Sequence, residues 1–393
     1  MAPHDLRRPF KRAAISDQQK RRELSLLRQE QNRRDAQQQA RCLASSILSL
    51  QSPLPESEPE QSDIELETAP EIEKESGTLS KDLDVPRASK LRGPEVRKWF
   101  ARQLMLPEWM IDVPDRLSQD WYVYARPAGK RCFVVSSNGT TVSRQRNGSI
   151  LHHFPSALPA GAKTRDSSGS GQSYCILDCI FHELDQTYYV IDMVCWNGYS
   201  LYDCTSEFRF FWLNSKIEES AYTGVVPYVK DGLLFYNKHA HYQTGNTPLV
   251  LVWKDENCSQ YVIDTDSKGE IPSQQQVVLE LQDNGKLVTS DDPPVLFGYL
   301  DGDIIQKSGL HSGNLLRFAV SDGGLSFVDG KLDKADLNYL GKANRGRAFA
   351  DSYSKVVFQF TVRHSPLKID DLLASINSPD DQEKKPCDVE MVG

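Results

Sequence analysis

The sequence predicts an α+β fold, mainly antiparallel β, with a long helix and an acidic linker ahead of the folded body. Three observations predict it. Short apolar runs of strand length recur between turn residues from about residue 95 onward. Residues 16–49 contain neither Gly nor Pro and are rich in Gln, Arg, Leu and Ala, all good helix formers. Residues 51–86 are acidic and broken by Pro53, Pro55, Pro59 and Pro70. The composition shifts divide the chain into 1–50 (helix), 51–94 (linker), 95–264 (main domain), 265–376 (a β-rich extension) and 377–393 (polar tail).

The helix has a start signal at Ser16, which with Gln19 makes a capping box. Its apolar face is thin, with Leu24, Leu27 and Ala36 among basic neighbours. It is therefore expected to stay off the core of its own chain and to order on a partner. Arg7, Arg8, Lys11, Arg12, Lys20, Arg21, Arg22, Arg28, Arg33, Arg34 and Arg41 make this segment strongly basic. A run of Glu56, Glu58, Glu60, Asp63, Glu65, Glu67, Glu71, Glu73 and Glu75 follows, nearly free of cations. The net charge of -8 thus conceals opposite charge blocks, which imply separate tasks for separate segments. The acidic stretch has too few apolar residues to offset its ordering entropy and reads as a disordered linker.

In the body, a short helix is expected over Arg97–Met105 and a longer one over Asp203–Lys216. Trp121–Ala125 and Cys132–Ser136 read as strands flanking the tight turn Pro127-Ala128-Gly129-Lys130. Tyr174–Phe181 and Tyr188–Cys195 read as strands flanking a turn at Asp185-Gln186. Leu233–Tyr236 and Leu249–Trp253 are further strands, and Ser167–Gln172 is a Gly/Ser loop. Beyond residue 264, Val277–Gln282, Val295–Leu300, Leu315–Val320 and Val356–Arg363 read as strands and Ile369–Ile376 as a terminal helix.

Several function classes are disfavoured. No apolar run approaches the roughly 18 residues of a membrane span, and Met1–Arg12 lacks the apolar core of a secretory signal. The eight cysteines show no CxxC pair and no Cys/His zinc spacing, so packed thiols in a reducing compartment are expected, with no metal and no cofactor.

Four segments read as worn nucleotidyltransferase motifs, those of mRNA capping enzymes and polynucleotide ligases. The K-x-D-G-x-R segment corresponds to Arg126-Pro127-Ala128-Gly129-Lys130-Arg131, with Arg126 at the nucleophile position and Ala128 at the Asp position. A guanidinium stays protonated near neutral pH and cannot attack a phosphate. Ile176-Leu177-Asp178-Cys179-Ile180 keeps the Asp of a metal-holding Asp-Gly-Glu but lacks its Gly and Glu. Asp231-Gly232-Leu233-Leu234-Phe235 matches the fourth motif, and Leu249-Val250-Leu251-Val252-Trp253-Lys254 resembles the fifth with its first Lys changed to Val252. The resemblance implies a nucleotidyltransferase-like nucleotide pocket without its reactive parts.

A denser resemblance, over about Phe100–Asp264, is to the snurportin family of nuclear-import adaptors. It rests on Gln103-Leu104-Met105-Leu106-Pro107-Glu108-Trp109-Met110-Ile111-Asp112-Val113-Pro114, Gly129-Lys130-Arg131 and Gln186-Thr187-Tyr188-Tyr189-Val190-Ile191-Asp192. Tyr202-Asp203-Cys204, Phe208-Arg209-Phe210 and Asp231-Gly232-Leu233-Leu234-Phe235-Tyr236 complete it. The resemblance implies binding of the 2,2,7-trimethylguanosine cap of U snRNA, with importin-β taking the basic N-terminal helix. It implies Trp253 as the indole that stacks on the cationic base, and Trp109 and Leu106 as an apolar wall for the two exocyclic methyls. Backbone groups near Leu106 and Pro107 would read the base edge, although Pro107 stands where the family often has serine. Arg131, Arg146 and Arg126 would bind the triphosphate. A protein shuttling between cytoplasm and nucleus is implied, along with a nuclear export receptor. Only Leu6 and Met1 supply large aliphatic groups ahead of the basic cluster, so that last contact is expected to be weak or to use other surfaces.

Three rivals stand beside this reading. An active guanylyltransferase or ligase would need the missing Lys and Glu. A monomethyl-cap binder would use a carboxylate on the guanine edge. The N-terminal segment could also be an RNA-binding basic arm. An adaptor built of helical repeats is disfavoured, because no internal period is present.

Overall fold

A computed structural model describes residues 8–31, 99–100, 102–162, 173–217, 228–259, 262–266, 268–291, 293–328, 331–344, 347 and 349–376. The expected linker 51–94, the loop Ser167–Gln172, the tail 377–393 and the residues Arg7, Arg33, Arg34 and Arg41 lie outside the described residues.

The chain opens with α1 (Arg8–Gln31), then β1 (Met105–Trp109), α2 (Leu117–Asp120), β2 (Trp121–Pro127), β3 (Lys130–Ser137), β4 (Thr140–Gln145) and β5 (Ile150–Phe154). It continues through β6 (Tyr174–His182), β7 (Thr187–Trp196), β8 (Tyr199–Ser200), α3 (Ser206–Ile217), β9 (Lys230–Asn237) and β10 (Gly245–Trp253). The last part holds β11 (Gln276–Leu281), β12 (Lys286–Val288), β13 (Leu296–Tyr299), α4 (Gly302–Lys307), β14 (Leu315–Val328), β15 (Lys331–Lys342), α5 (Tyr353–His364) and α6 (Ile369–Ile376). The fold is α+β and mainly antiparallel, as the alternation of short strands and turns implied.

Three sheets form, of order β1-β10-β9-β2, β5-β4-β3-β6-β7-β8 and β13-β12-β11-β14-β15. Among the described strand pairs only β1–β10 is parallel. The turn at Pro127–Lys130 does not make a hairpin. It carries the chain from the four-stranded sheet to the six-stranded one, since β2 pairs with β9 and β3 with β4 and β6. Gly129 permits that passage at φ 142°, because a Cβ there would stand 2.2 Å from the Phe181 carbonyl oxygen.

The alternation of strand side chains builds the layers. Phe133 and Val135 of β3 face the four-stranded sheet, where they meet Leu234, Tyr236, Val250 and Val252. Cys132 and Val134 face the other way, with Leu177, Cys179, Met193 and Leu213 of α3. Cys132, Cys175, Cys179 and Cys195 are buried and unbridged, and burial pushes the thiols of Cys132 and Cys195 up to about 12. The far face of the four-stranded sheet holds Met110, Trp121, Phe235, Leu251 and Trp253. The five-stranded sheet makes its own core with α5, through Leu279, Leu316, Phe318, Tyr353 and Val356.

Four expectations are corrected. Met105 belongs to a strand rather than to the end of a helix; Trp99 and Phe100 are helical, and Gln103 N–H donates to the Phe100 carbonyl at 3.0 Å. Val356–Arg363 is helical, inside α5, despite its β-branched residues. Ser352 caps its start by accepting from Lys355 N–H, and Val356, Val357 and Phe358 pack inward, so tertiary burial outweighs local β preference. The N-terminal helix begins at Arg8, upstream of the expected cap at Ser16. It also docks on its own chain: Gln18, Arg22 and Gln29 are buried. Arg21 forms a two-bond pair with Glu108 of β1 at 2.7 and 2.9 Å. Arg22 lies over the Trp121 ring, and Gln29 donates to the His239 carbonyl at 2.8 Å. The thin apolar face is supplemented by polar groups that find partners on the body, which a hydrophobic pattern does not register.

Candidate functional site

Between the four- and six-stranded sheets, and closed on one side by the segment before α5, lies a cleft of about 570 Å³. Leu106, Pro107, Trp109, Arg126, Arg131 and Arg146 line it, together with Val252 of β10 and Lys254 just after that strand. Because β2 and β3 sit in different sheets, the six residues from Arg126 to Arg131 span the cleft and set two guanidiniums on facing walls.

Each of those two is held by a fully buried carboxylate. Arg131 meets Asp178 of β6 through Nε at 3.0 Å and Nη2 at 2.7 Å, and the Tyr242 hydroxyl donates to the same carboxylate at 2.6 Å. Burial alone would lower the Arg131 pKa, but Asp178 outweighs it and keeps the guanidinium firmly protonated. Burial raises Asp178, with Arg131 opposing. Arg126 pairs with Asp231, and Lys254 Nζ joins the same carboxylate at 2.7 Å. Gly232, at φ 98°, lets β9 approach β10 so closely that a Cβ there would meet the Trp253 carbonyl oxygen at 2.4 Å. The Asp-Gly pair is thus a carboxylate set beside a tight strand contact.

Arg146 is different. Its tip reaches solvent, its guanidinium lies over the Phe349 ring at 5.9 Å, and it has no carboxylate partner among the described residues. Partial desolvation, then the charges of Arg131 and Arg347, lower its pKa. Such a cation favours an anionic neighbour. Trp109 is half-buried, packs against Phe358 of α5 at 4.5 Å between centroids, and has its backbone N–H bonded to Ser354 Oγ at 3.1 Å. The Phe358 ring therefore holds the indole in place, and the Ser354 bond holds its backbone, before any ligand arrives. Pro107 offers the cleft no backbone N–H, so at that position the main chain can only accept.

Trp253 is not in the cleft. Its chain neighbours Val252 and Lys254 face inward, so by strand alternation the indole points to the opposite layer. There it is 4% exposed and donates Nε1–H to the Leu367 carbonyl at 2.9 Å. The stacking role inferred from resemblance is corrected accordingly, and Trp109 is the indole that the cleft presents. Of the basic helix residues, Arg21 and Arg22 face the body, while Lys20 and Arg28 are exposed.

Sequence reasoning missed Val252, Lys254, Asn246, Ser290, Arg347, Phe349 and Lys355, all of which line the cleft. Lys254 ends the fifth-motif segment and could have been found there. The residues from 290 onward belong to the third sheet and its flanks, and no local signal ties them to β1 or β3.

Residues 103–227 match the family model described as Snurportin1, m3G cap-binding domain. Over that stretch the chain is similar to snurportin. The match spans less than half of the chain and includes Leu106, Pro107, Trp109, Arg126, Arg131 and Arg146, so the snurportin-type segment supplies these six cleft residues and none of those beyond residue 227. Among solved structures, a mycobacterial DNA ligase D complexed with ATP and MES is similar at 11% identity and a TM-score of 0.30, covering 64% of this chain and 97% of that one. A Lig E DNA ligase, described as DNA binding with a minimal scaffold, is similar at 13% identity and a TM-score of 0.26, covering 61% and 99%. At those scores the likeness is too loose to bear on the site.

Proposed function

We propose that the chain is a non-catalytic nuclear-import adaptor that binds the 2,2,7-trimethylguanosine cap of U snRNPs, delivers it to importin-β through α1, and shuttles between cytoplasm and nucleus. The observation that carries this reading is the cleft itself: a pre-set indole, Trp109, beside the guanidiniums of Arg126, Arg131 and Arg146 on a snurportin-type segment. N7 methylation leaves guanine cationic, and a cationic planar base is attracted to an indole face. Methylation of the exocyclic nitrogen removes its donors, which suits the half-buried apolar surface of Leu106, Pro107 and Val252. The triphosphate has cations waiting. Against catalysis, the nucleophile position holds Arg126, already engaged with Asp231, and a guanidinium cannot serve as a nucleophile near neutral pH.

Quenching of intrinsic tryptophan fluorescence by trimethylguanosine and monomethylguanosine cap dinucleotides tests the cap reading. The trimethyl cap should bind the more tightly. Trp109→Ala should weaken it about tenfold or more, in keeping with about 1–3 kcal/mol for a stacked base. Trp253→Phe should leave binding intact and cost roughly 1–2 kcal/mol of stability through the lost bond to Leu367. Equal binding of both caps would favour the monomethyl reading, and no binding would remove cap recognition altogether.

The import arm has a structural consequence. A receptor that takes α1 must part Arg21 from Glu108, leaving a carboxylate that is 3% exposed. Glu108→Gln should therefore loosen α1 and raise the affinity for importin-β in a pull-down or titration. Unchanged capture would argue against use of this face of the helix.

A further inference from the structure

The snurportin-type match ends at residue 227, but the cleft does not. Part of its remaining wall is formed by residues 347 and 349–355, which lead from β15 into the first turn of α5. Asp351 anchors them. Asp351 N–H donates to the Val278 carbonyl at 2.7 Å, Val278 N–H returns to Asp351 Oδ2 at 2.8 Å, and Ser290 N–H donates to the Asp351 carbonyl at 3.1 Å. From that anchor Asp351 holds two cations at the cleft, Arg347 and Lys355, the latter at 3.1 Å. Lys355 also reaches Asp264 at 2.7 Å. Six cations line the cleft, namely Arg126, Arg131, Arg146, Lys254, Arg347 and Lys355. Four carboxylates pair with them among the described residues, Asp178, Asp231, Asp264 and Asp351, so two positive charges are left over, one on Arg146 and one on the Arg126 and Lys254 that share Asp231. Phe349, under the Arg146 guanidinium, joins the two walls at the mouth.

Resting on the cap-binding reading, we propose that residues 347 and 349–355 are the second half of the ligand site: Arg347 and Lys355 bind the phosphate chain together with Arg131 and Arg146. The ligand class is then narrower than a modified base. A nucleoside or a 5′-monophosphate leaves one wall uncontacted. A 5′–5′ triphosphate bridge spans both walls and satisfies the charge excess. Residues outside the family-matched segment would thus discriminate a capped end from a free nucleotide.

The test uses the full chain and four probes: trimethylguanosine nucleoside, its 5′-monophosphate, the trimethylguanosine cap dinucleotide and inorganic tripolyphosphate. Affinity should rise with phosphate number. Arg347→Gln should weaken the cap dinucleotide about tenfold, as for one lost charge-assisted bond, and leave the nucleoside unchanged. Arg347→Lys should retain most of the affinity, and nucleoside binding with an unaltered circular dichroism spectrum reports that each variant is folded. If the wild type binds the cap and Arg347→Gln and Lys355→Met change nothing, this proposal is overturned and the cap reading stands. If tripolyphosphate binds through Arg347 but the cap binds no better, the phosphate wall stands and the cap reading falls. Binding of neither overturns both.

Discussion

Replacing Arg209 with methionine should lower stability by about 3–5 kcal/mol, because it strands a buried carboxylate. Arg209 on α3 and Asp192 on β7 are both 0% exposed. The guanidinium spends all five donors: two on Asp192 at 2.8 Å each, one on the Cys204 carbonyl at 2.6 Å, one on the Ala240 carbonyl at 2.9 Å and one on Ser206 Oγ at 3.1 Å. This pair ties α3 to β7 and to the loop after β9, which is why it sits where hydrophobic contact would be expected. Chemical denaturation measures the loss as a fall in midpoint. A double variant, Asp192→Asn with Arg209→Met, should recover part of it, since removing both charges costs less than leaving one unpaired. A single-variant loss below 1 kcal/mol would mean that Asp192 finds water or another partner.

The second large effect is at the cleft. Arg131→Ala should remove a phosphate-binding cation and also destabilise the fold by about 3–5 kcal/mol, because Asp178 is fully buried and then keeps only the Tyr242 hydroxyl among its charge-compensating contacts. Loss of binding in that variant alone would thus not identify Arg131 as a ligand contact. Asp178→Asn is the informative partner: it frees the guanidinium, so cap affinity should hold or rise. The deficit of Arg131→Ala should also depend on pH. Burial raises the folded-state pKa of Asp178, and losing Arg131 raises it further. The unfolded carboxyl ionises near its ordinary value of about 3.9. Between those values the folded state holds the proton and the unfolded state does not, so stability falls as pH rises. The variant should therefore regain stability relative to wild type between pH 7 and pH 5. A deficit independent of pH would assign it to packing.

Much of the main domain was legible along the chain. The strands β2, β3, β6, β7, β9 and β10 follow from apolar runs and turn residues, and α3 from Asp203–Lys216, shortened at its start because Thr205 Oγ1 accepts from Phe208 N–H at 3.3 Å. Arg126, Arg131, Asp178 and Asp231 stand out as motif positions, and their convergence on one cleft follows from a turn that changes sheets rather than making a hairpin. The limits are equally particular. Strand periodicity says that Val252 and Trp253 face opposite ways, but not which of them faces the ligand.

By itself, then, the sequence determined the alternation of strands, the glycines that permit close backbone approach and the charges that a phosphate ligand would need, because each is written in neighbouring residues. Tertiary structure alone decided that Trp253 is core and Trp109 presents the indole, that α1 docks through Arg21 and Arg22, that Val356–Arg363 coils, and that Arg347 and Lys355 complete the cleft. Those outcomes depend on contacts between residues far apart in the chain, such as Trp253 with Leu367, Trp109 with Phe358 and Arg21 with Glu108, whose energies no local pattern encodes.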